Sequence, residues 1–363
     1  MRARPPVWTA LPSRFSGASK RRAGIVTGIA LLLILGGLVA LWRGSLIPPD
    51  TLFGEAATLA GLVEGVRAGG DYYSVAESLF RVDPAAIRTW ADVPLPALPS
   101  LLGALSPFMA FALQALLVSA VFVAWFVRLR HVFTRLAAMA AIGVLLAGGL
   151  VVAIDPLLGP LDSLWAGLLI ALSLGLWRRD RWVEPVGVAL IACAIDQTAL
   201  LYVALMGGLA LVEGQRREAL GWAAVALTIT ALFVAHGLAV RDLAGDAVAW
   251  RGDAHWGGYA MFLQSTALAT ALQVLPLPLT AVLVGLALVG WASWSDPGGV
   301  RVLAVICAYA LLTALFAPLQ DAHWGLLSAP LILLGLAFAP DAVRDLAASL
   351  LDTRRVRVQR ISR

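Results

Sequence analysis

Five short polar groups interrupt a strongly apolar chain. Pro48-Pro49-Asp50-Thr51-Leu52-Phe53 places a carboxylate just past the first apolar run. It suits a general base, and it equally suits the cap of a following helix. Gly69-Gly70-Asp71-Tyr72-Tyr73 joins a turn to an acid and two phenols, followed by Glu77, Arg81 and Arg88. These residues suit a polar binding site, or an interfacial aromatic belt. Asp155 and Asp162 bracket a short turn, where polar residues are needed for structure anyway. Asp196-Gln197 sits inside the otherwise apolar run 185–211. An ionised Asp at mid-membrane costs roughly 2.5–3.5 kcal/mol, so a cavity open to water is expected around it. Gln320-Asp321-Ala322-His323-Trp324 adds an imidazole. Acids and a histidine gathered at one end of a bundle are the ingredients of acid–base chemistry. A divalent metal is conceivable among them, but the spacing matches no ligand pattern and no metal ligand is assigned. Hydrolase elbows, a P-loop, dinucleotide glycines and zinc-type His pairs are absent from the sequence.

The elements that must position these residues are helical. The chain has 363 residues, 60% of them hydrophobic and only 13% charged. After a basic leader (1–23), apolar runs occupy 24–42, 101–127, 136–154, 163–177, 185–211, 219–240, 274–294, 300–318 and 324–340. Runs of this kind predict an all-α polytopic transmembrane bundle. Arg128-Leu129-Arg130, Arg178-Arg179-Asp180-Arg181, Arg216-Arg217 and Arg354-Arg355-Val356-Arg357 then mark the cytoplasmic side. The run 185–211 is about 40 Å long as one helix, against a hydrocarbon core of about 30 Å. It also has basic clusters on both flanks. A short hairpin with its turn near Asp196 keeps both clusters on one side, which gives about ten membrane helices with both termini cytoplasmic. Residues 24–340 then form one integral domain with an outer loop, 43–100, and 341–363 is a basic cytoplasmic tail. The spacing of Leu52, Phe53, Ala56, Leu59, Leu62, Val63 and Val66 predicts an amphipathic helix over 51–68, lying on the membrane surface. The net charge of +5 follows from orientation and calls for no nucleic-acid partner. Cys193 and Cys307 lie in apolar runs and are read as small buried residues.

An early Asp, a following helix with Ala60 and Val63, the Gly69–Tyr73 segment, and the stretches 161–168 and 214–218 resemble the GT-C superfamily of integral membrane glycosyltransferases. The resemblance implies sugar transfer from a polyprenyl-phosphate carrier to an acceptor on the periplasmic side of a bacterial inner membrane. The bilayer and the lipid-linked sugar donor would be the partners. It implies Asp50 as the catalytic carboxylate, with Asp71 beside it. Tyr72, Tyr73, Arg88, Asp162, Asp196, Gln197, Asp321 and His323 would bind substrate. The proteins it resembles are expected to read Arg-Glu at the hairpin apex where this chain has Asp196-Gln197, which leaves open a changed substrate or an inactive homologue. A transporter or a partner subunit is the non-enzymatic alternative; no related halves of the kind transporters use are visible.

Overall fold

The computed structural model describes residues 6, 8–82, 93–133, 135–241, 257–317 and 322–351. The fold is all-α: the described residues hold α- and 3-10 helices and one isolated β-bridge, Arg178 to Arg181. An N-terminal strap precedes α1 (Lys20–Arg43). Then come α2 (Thr51–Arg67), α3 (Tyr72–Val82), α4 (Ala97–Ala104), α5 (Pro107–Leu129) and α6 (Leu136–Leu150). The middle of the chain folds into α7 (Asp162–Leu176), α8 (Val183–Ile195), α9 (Leu200–Val212) and α10 (Arg216–Val240). It closes with α11 (Gly258–Leu268), α12 (Leu277–Ser293), α13 (Pro297–Phe316), the four-residue α14 (Ala329–Ile332) and α15 (Ala339–Leu351).

The helix α7 is the axis of the core. It buries residues on every side, from Ser163 and Leu164 to Leu174 and Gly175. Its neighbour α8 returns antiparallel and stops at Asp196, whose backbone is extended (φ −136°, ψ 120°). There the carboxylate Oδ1 accepts Thr198 N at 2.8 Å and Thr198 Oγ1 at 2.6 Å. A side chain that bonds the backbone two residues on competes with helix continuation, which is why 185–211 forms two 13-residue helices. A 3-10 turn, Gln197–Ala199, joins them. The basic turns 178–181 and 216–217 thereby reach one end of the bundle, and Asp162 and Asp196 the other.

Close packing delivers the last polar group to that second end. The 3-10 segment Ala322–Leu327 carries His323 and crosses α7 at Gly167. A Cβ at Gly167 would lie 2.2 Å from the Leu326 carbonyl oxygen, so only glycine permits the crossing. Gly167→Ala is expected to lower stability by about 1–3 kcal/mol. Gly143→Ala, in α6 with open space around its Cβ, is expected to gain up to about 1 kcal/mol. Thermal unfolding of the two variants checks the contrast.

The expected ten-helix membrane bundle is corrected. Among the described residues four helices are long and apolar enough to cross a membrane by length and composition: Lys20–Arg43, Pro107–Leu129, Arg216–Val240 and Pro297–Phe316. The other apolar runs are shorter helices, and 324–340 is split between 3-10 turns and α14. The interior is pinned by charge: Arg301 (0% exposed), Glu218 (1%) and Arg128 (8%) are buried in ion pairs or hydrogen bonds. Trp125, Trp291, Trp294, Phe133 and Phe338 form a continuous aromatic cluster. What these findings support is an all-α globular bundle. They remove the basis for the expected sugar transfer from a polyprenyl-phosphate carrier and for a membrane transporter or partner subunit, for the bilayer and lipid-linked donor as partners, for a periplasmic active site and for inner-membrane placement. The four long helices nevertheless keep apolar outer faces, with Leu32, Leu116, Leu227 and Leu311 exposed. Hydropathy counted apolar residues correctly but could not say what covers them.

The predicted surface helix also packs on protein. α2 buries Leu52, Ala56, Leu62 and Val63, with α3 and α4 among its partners. The leader is docked as well: Trp8 N and Thr9 N donate to Asp341 Oδ2 at 3.0 and 2.8 Å, and Ser13 Oγ to Asp345 Oδ2 at 2.7 Å. The basic tail, Arg354 to Arg357, lies outside the described residues.

Candidate acid–base site

Four elements bring together three carboxylates and one imidazole. Glu55, on the second turn of α2, reaches the 3-10 segment: its Oε1 accepts Ala322 N at 3.1 Å and its Oε2 meets His323 Nδ1 at 2.9 Å. One carboxylate therefore fixes both the backbone and the ring. Both side chains keep some solvent contact, 21% for Glu55 and 25% for His323. Asp162 begins α7, half-buried, with its Oδ1 accepting Ser163 N at 2.8 Å. Asp196 is 5% exposed at the apex between α8 and α9.

The Asp196 charge acts on Asp162. Burial raises the Asp162 carboxyl well above the usual carboxylate range, and the Asp196 charge raises it further; His323 pulls it back. Burial also raises Asp196, which the two Thr198 hydrogen bonds and His323 draw down again. Both carboxyls are thereby held above the usual carboxylate range.

The remaining predicted residues divide. Asp50 is exposed at the start of α2 and makes no side-chain capping hydrogen bond. Asp71 accepts Ser74 N at 3.2 Å and Ser74 Oγ at 3.4 Å, which caps α3. Neither is hydrogen-bonded or ion-paired to Glu55, His323, Asp162 or Asp196. Tyr72 is buried, donates its hydroxyl to the Pro94 carbonyl, and lies near enough to Asp162 for that charge to add to the burial that raises its phenol. Tyr73 packs edge-on against Tyr72 at 5.0 Å, and its hydroxyl lies 3.5 Å from His236 Nδ1. Gln197 follows Asp196 in the 3-10 turn. Arg88 and Asp321 lie outside the described residues. Among the described residues no three His, Cys, Asp or Glu side chains gather as a metal site.

A second polar cluster occupies the opposite end of α7. Arg301 forks onto Glu213 at 2.6 and 3.1 Å and lies over the Trp177 ring at 3.8 Å. Glu218 Oε1 accepts Trp177 Nε1 at 2.9 Å and Trp222 Nε1 at 3.1 Å. Arg128 caps Leu174 O and Trp177 O at 2.5 and 3.2 Å and pairs with Asp296 at 3.1 Å. Here too lies a cavity of about 250 Å³, walled by the strap, His131, Trp294 and Asp296. None of the sequence-predicted site residues lines it. We place the chemistry at the acidic end, because carboxyls raised by burial beside a histidine can move protons, while the arginines of the other end are engaged by carboxylates and carbonyls, with Arg301 Nε and Glu218 Oε2 left without a hydrogen-bond partner.

No protein-family model, curated protein or solved structure matches this chain, so its chemistry is argued from its own residues. Sequence reasoning singled out Asp162, Asp196 and His323 but passed over Glu55 and Thr198. Glu55 and His323 are 268 positions apart, and nothing local links them. Thr198, two residues after an Asp, carried the one readable signal, since that spacing is the one an Asx turn uses.

Proposed function

We propose that this chain is an acid–base enzyme whose centre is His323 held by Glu55, facing the Asp162/Asp196 pair. The observation that carries this reading is the 2.9 Å contact between Glu55 Oε2 and His323 Nδ1, with His323 acting on both the half-buried Asp162 and the buried Asp196. Glu55 orients the ring and stabilises the imidazolium, so His323 is the proton acceptor. Burial holds the Asp162 carboxyl above the ordinary carboxylate range, which suits it to be the donor. Three carboxylates around one imidazole make the site net negative. It therefore favours a neutral or cationic polar substrate and repels a fully ionised phosphate.

The test is substrate discovery by loss. Purified full chain is incubated with a small-molecule extract, and compounds consumed are followed by mass spectrometry. Wild type is expected to consume at least one neutral or cationic polar compound, with a bell-shaped pH profile. His323→Gln and Asp162→Asn are each expected to slow that turnover by about 10²–10⁴-fold. Identical consumption profiles for wild type and both variants would sink the reading.

A further inference from the structure

The cavity of about 250 Å³ lies at the opposite end of α7 from the acid–base site, and its walls have two characters. One is apolar, formed by Leu11 and Pro12 of the strap with Trp294 and Phe338. The two rings stack at 5.3 Å, and Arg128 lies over Trp294 at 5.2 Å, so the indole is fixed in place. The other is polar and holds two carboxylates, Asp296 and Asp341. Asp341 is engaged on both oxygens. Its Oδ2 accepts Trp8 N at 3.0 Å, Thr9 N at 2.8 Å and Thr9 Oγ1 at 3.1 Å, and its Oδ1 pairs with Arg344 at 3.2 Å. Asp296 is engaged on one oxygen alone. Its Oδ1 accepts Gly298 N at 2.7 Å and Arg128 Nη2 at 3.1 Å, and among the described residues none bonds Oδ2.

That asymmetry is built into the fold. Asp296 caps α13 through Gly298 N, and a Cβ at Gly298 would run into Arg128 Nη2. Arg128 is itself buried and tied to the Leu174 and Trp177 carbonyls, so it stays on one carboxylate oxygen. An acceptor held in one orientation beside a rigid apolar wall orients a small ligand in a pocket. Charge narrows the class. Each carboxylate already has its arginine, Arg128 on Asp296 and Arg344 on Asp341, and Arg130 sits 3.3 Å from His131 of the wall. A cation gains little there, and an anion would meet the open carboxylate oxygen. We propose that the cavity binds a small neutral molecule carrying an N–H or O–H donor on an apolar ring. The donor meets Asp296 Oδ2, and the ring lies against Trp294 and Phe338. The strap is part of the wall, fastened by Ala10 N to Val132 O at 2.7 Å and Arg14 N to Ser293 O at 2.8 Å. A ligand that binds only while the strap is docked holds it down. This site is independent of the acid–base reading.

Indole and benzofuran are the probes, because they share one shape and only indole has an N–H donor. Binding to the purified full chain is followed by ligand-observed NMR. Hydrogen exchange at the Thr9, Ala10 and Arg14 amides, whose bonds fasten the strap, is measured with and without each probe. Indole is expected to bind with a Kd of about 1 mM or tighter and to slow exchange at those amides. Benzofuran, and the cation benzylammonium, are each expected to bind about 10-fold or more weakly. Asp296→Asn keeps the Oδ1 acceptor and puts an amide NH₂ where Oδ2 stands. It should weaken indole by about 10-fold or more and leave benzofuran within about twofold of wild type. The proposal is overturned if benzofuran or benzylammonium matches indole, if indole binds without slowing the strap amides, or if indole does not bind at all. The wild-type comparison of the three probes decides the matter even if Asp296→Asn does not fold. Turnover plays no part in this readout, so failure of the extract assay would refute the enzyme reading and leave this site intact.

Discussion

Arg301→Met is expected to lower unfolding stability by about 3–5 kcal/mol, the loss typical when one partner of a buried ion pair is removed. Arg301 is fully buried, forks onto Glu213 and stacks on Trp177. Its Nη2 also lies 4.0 Å from Glu218, itself 1% exposed. Without the arginine, Glu218 is an uncompensated buried carboxylate with only two indole N–H groups to satisfy it. Arg301→Lys keeps the charge but not the fork or the planar stacking, so an intermediate loss is expected. Glu218→Gln in the Arg301→Met background should recover part of the stability, because the amide oxygen still accepts from Trp177 and Trp222 while the charge is gone. A double-mutant cycle by denaturant unfolding measures the coupling. If the two changes add without interaction, the cluster is not the stabilising unit described. Acid dependence supplies a second reading. The Arg301 hydrogen bond holds the Glu213 carboxyl below the usual range. That stability is present above the unfolded carboxylate range and is lost as pH falls through the lowered value. Arg301→Met should lack this acid-side loss.

Asp162→Asn is expected to act in the opposite direction and to stabilise the protein near neutral pH, by a gain on the order of 2 kcal/mol. Asp162 is raised in the folded state, so the native protein binds more protons than the unfolded chain between the unfolded carboxylate range and the raised value. Stability from this group is therefore greatest at the acid side and falls as pH rises through that interval. The amide stays neutral at every pH, and its oxygen can still accept Ser163 N. The variant's stability should then be flatter with pH than wild type, and higher above the interval. Thermal unfolding from pH 4 to pH 8 checks both. A gain in stability paired with lost turnover is the expected signature of a site that holds a costly charge for function. A loss of stability at neutral pH would show that Asp162 is held in an environment that welcomes its charge, and would refute the raised carboxyl.

Much of the local structure was readable from residues alone. The apolar runs are helices, because three or more turns of apolar residues without strand alternation leave the backbone no better way to satisfy itself. The interruption at Asp196 was readable from charge on its two flanks, and Thr198 two residues on supplies its chemistry. The cap read at Asp50 is not made by its side chain, whereas Asp71, not read as a cap, accepts Ser74 N at the start of α3. Less readable was the fate of the apolar runs. Several are short core helices such as α7, whose residues are covered by α5, α8 and the Ala322–Leu327 segment. A hydropathy window reports the cost of meeting water and is silent on whether protein or something else prevents it.

The sequence by itself determined that this protein is helical, that it places basic turns apart from acidic ones, and that Asp196 ends a helix. These follow from interactions within a few residues, or from composition along a run. Only the tertiary structure decided which acids share a site. Glu55 meets His323 because α2 lies against the segment Ala322–Leu327, and that segment reaches α7 because Gly167 and the Leu326 carbonyl can touch. Ion pairs and hydrogen bonds depend on distance through space, and no spacing along the chain encodes a contact between residues 55 and 323.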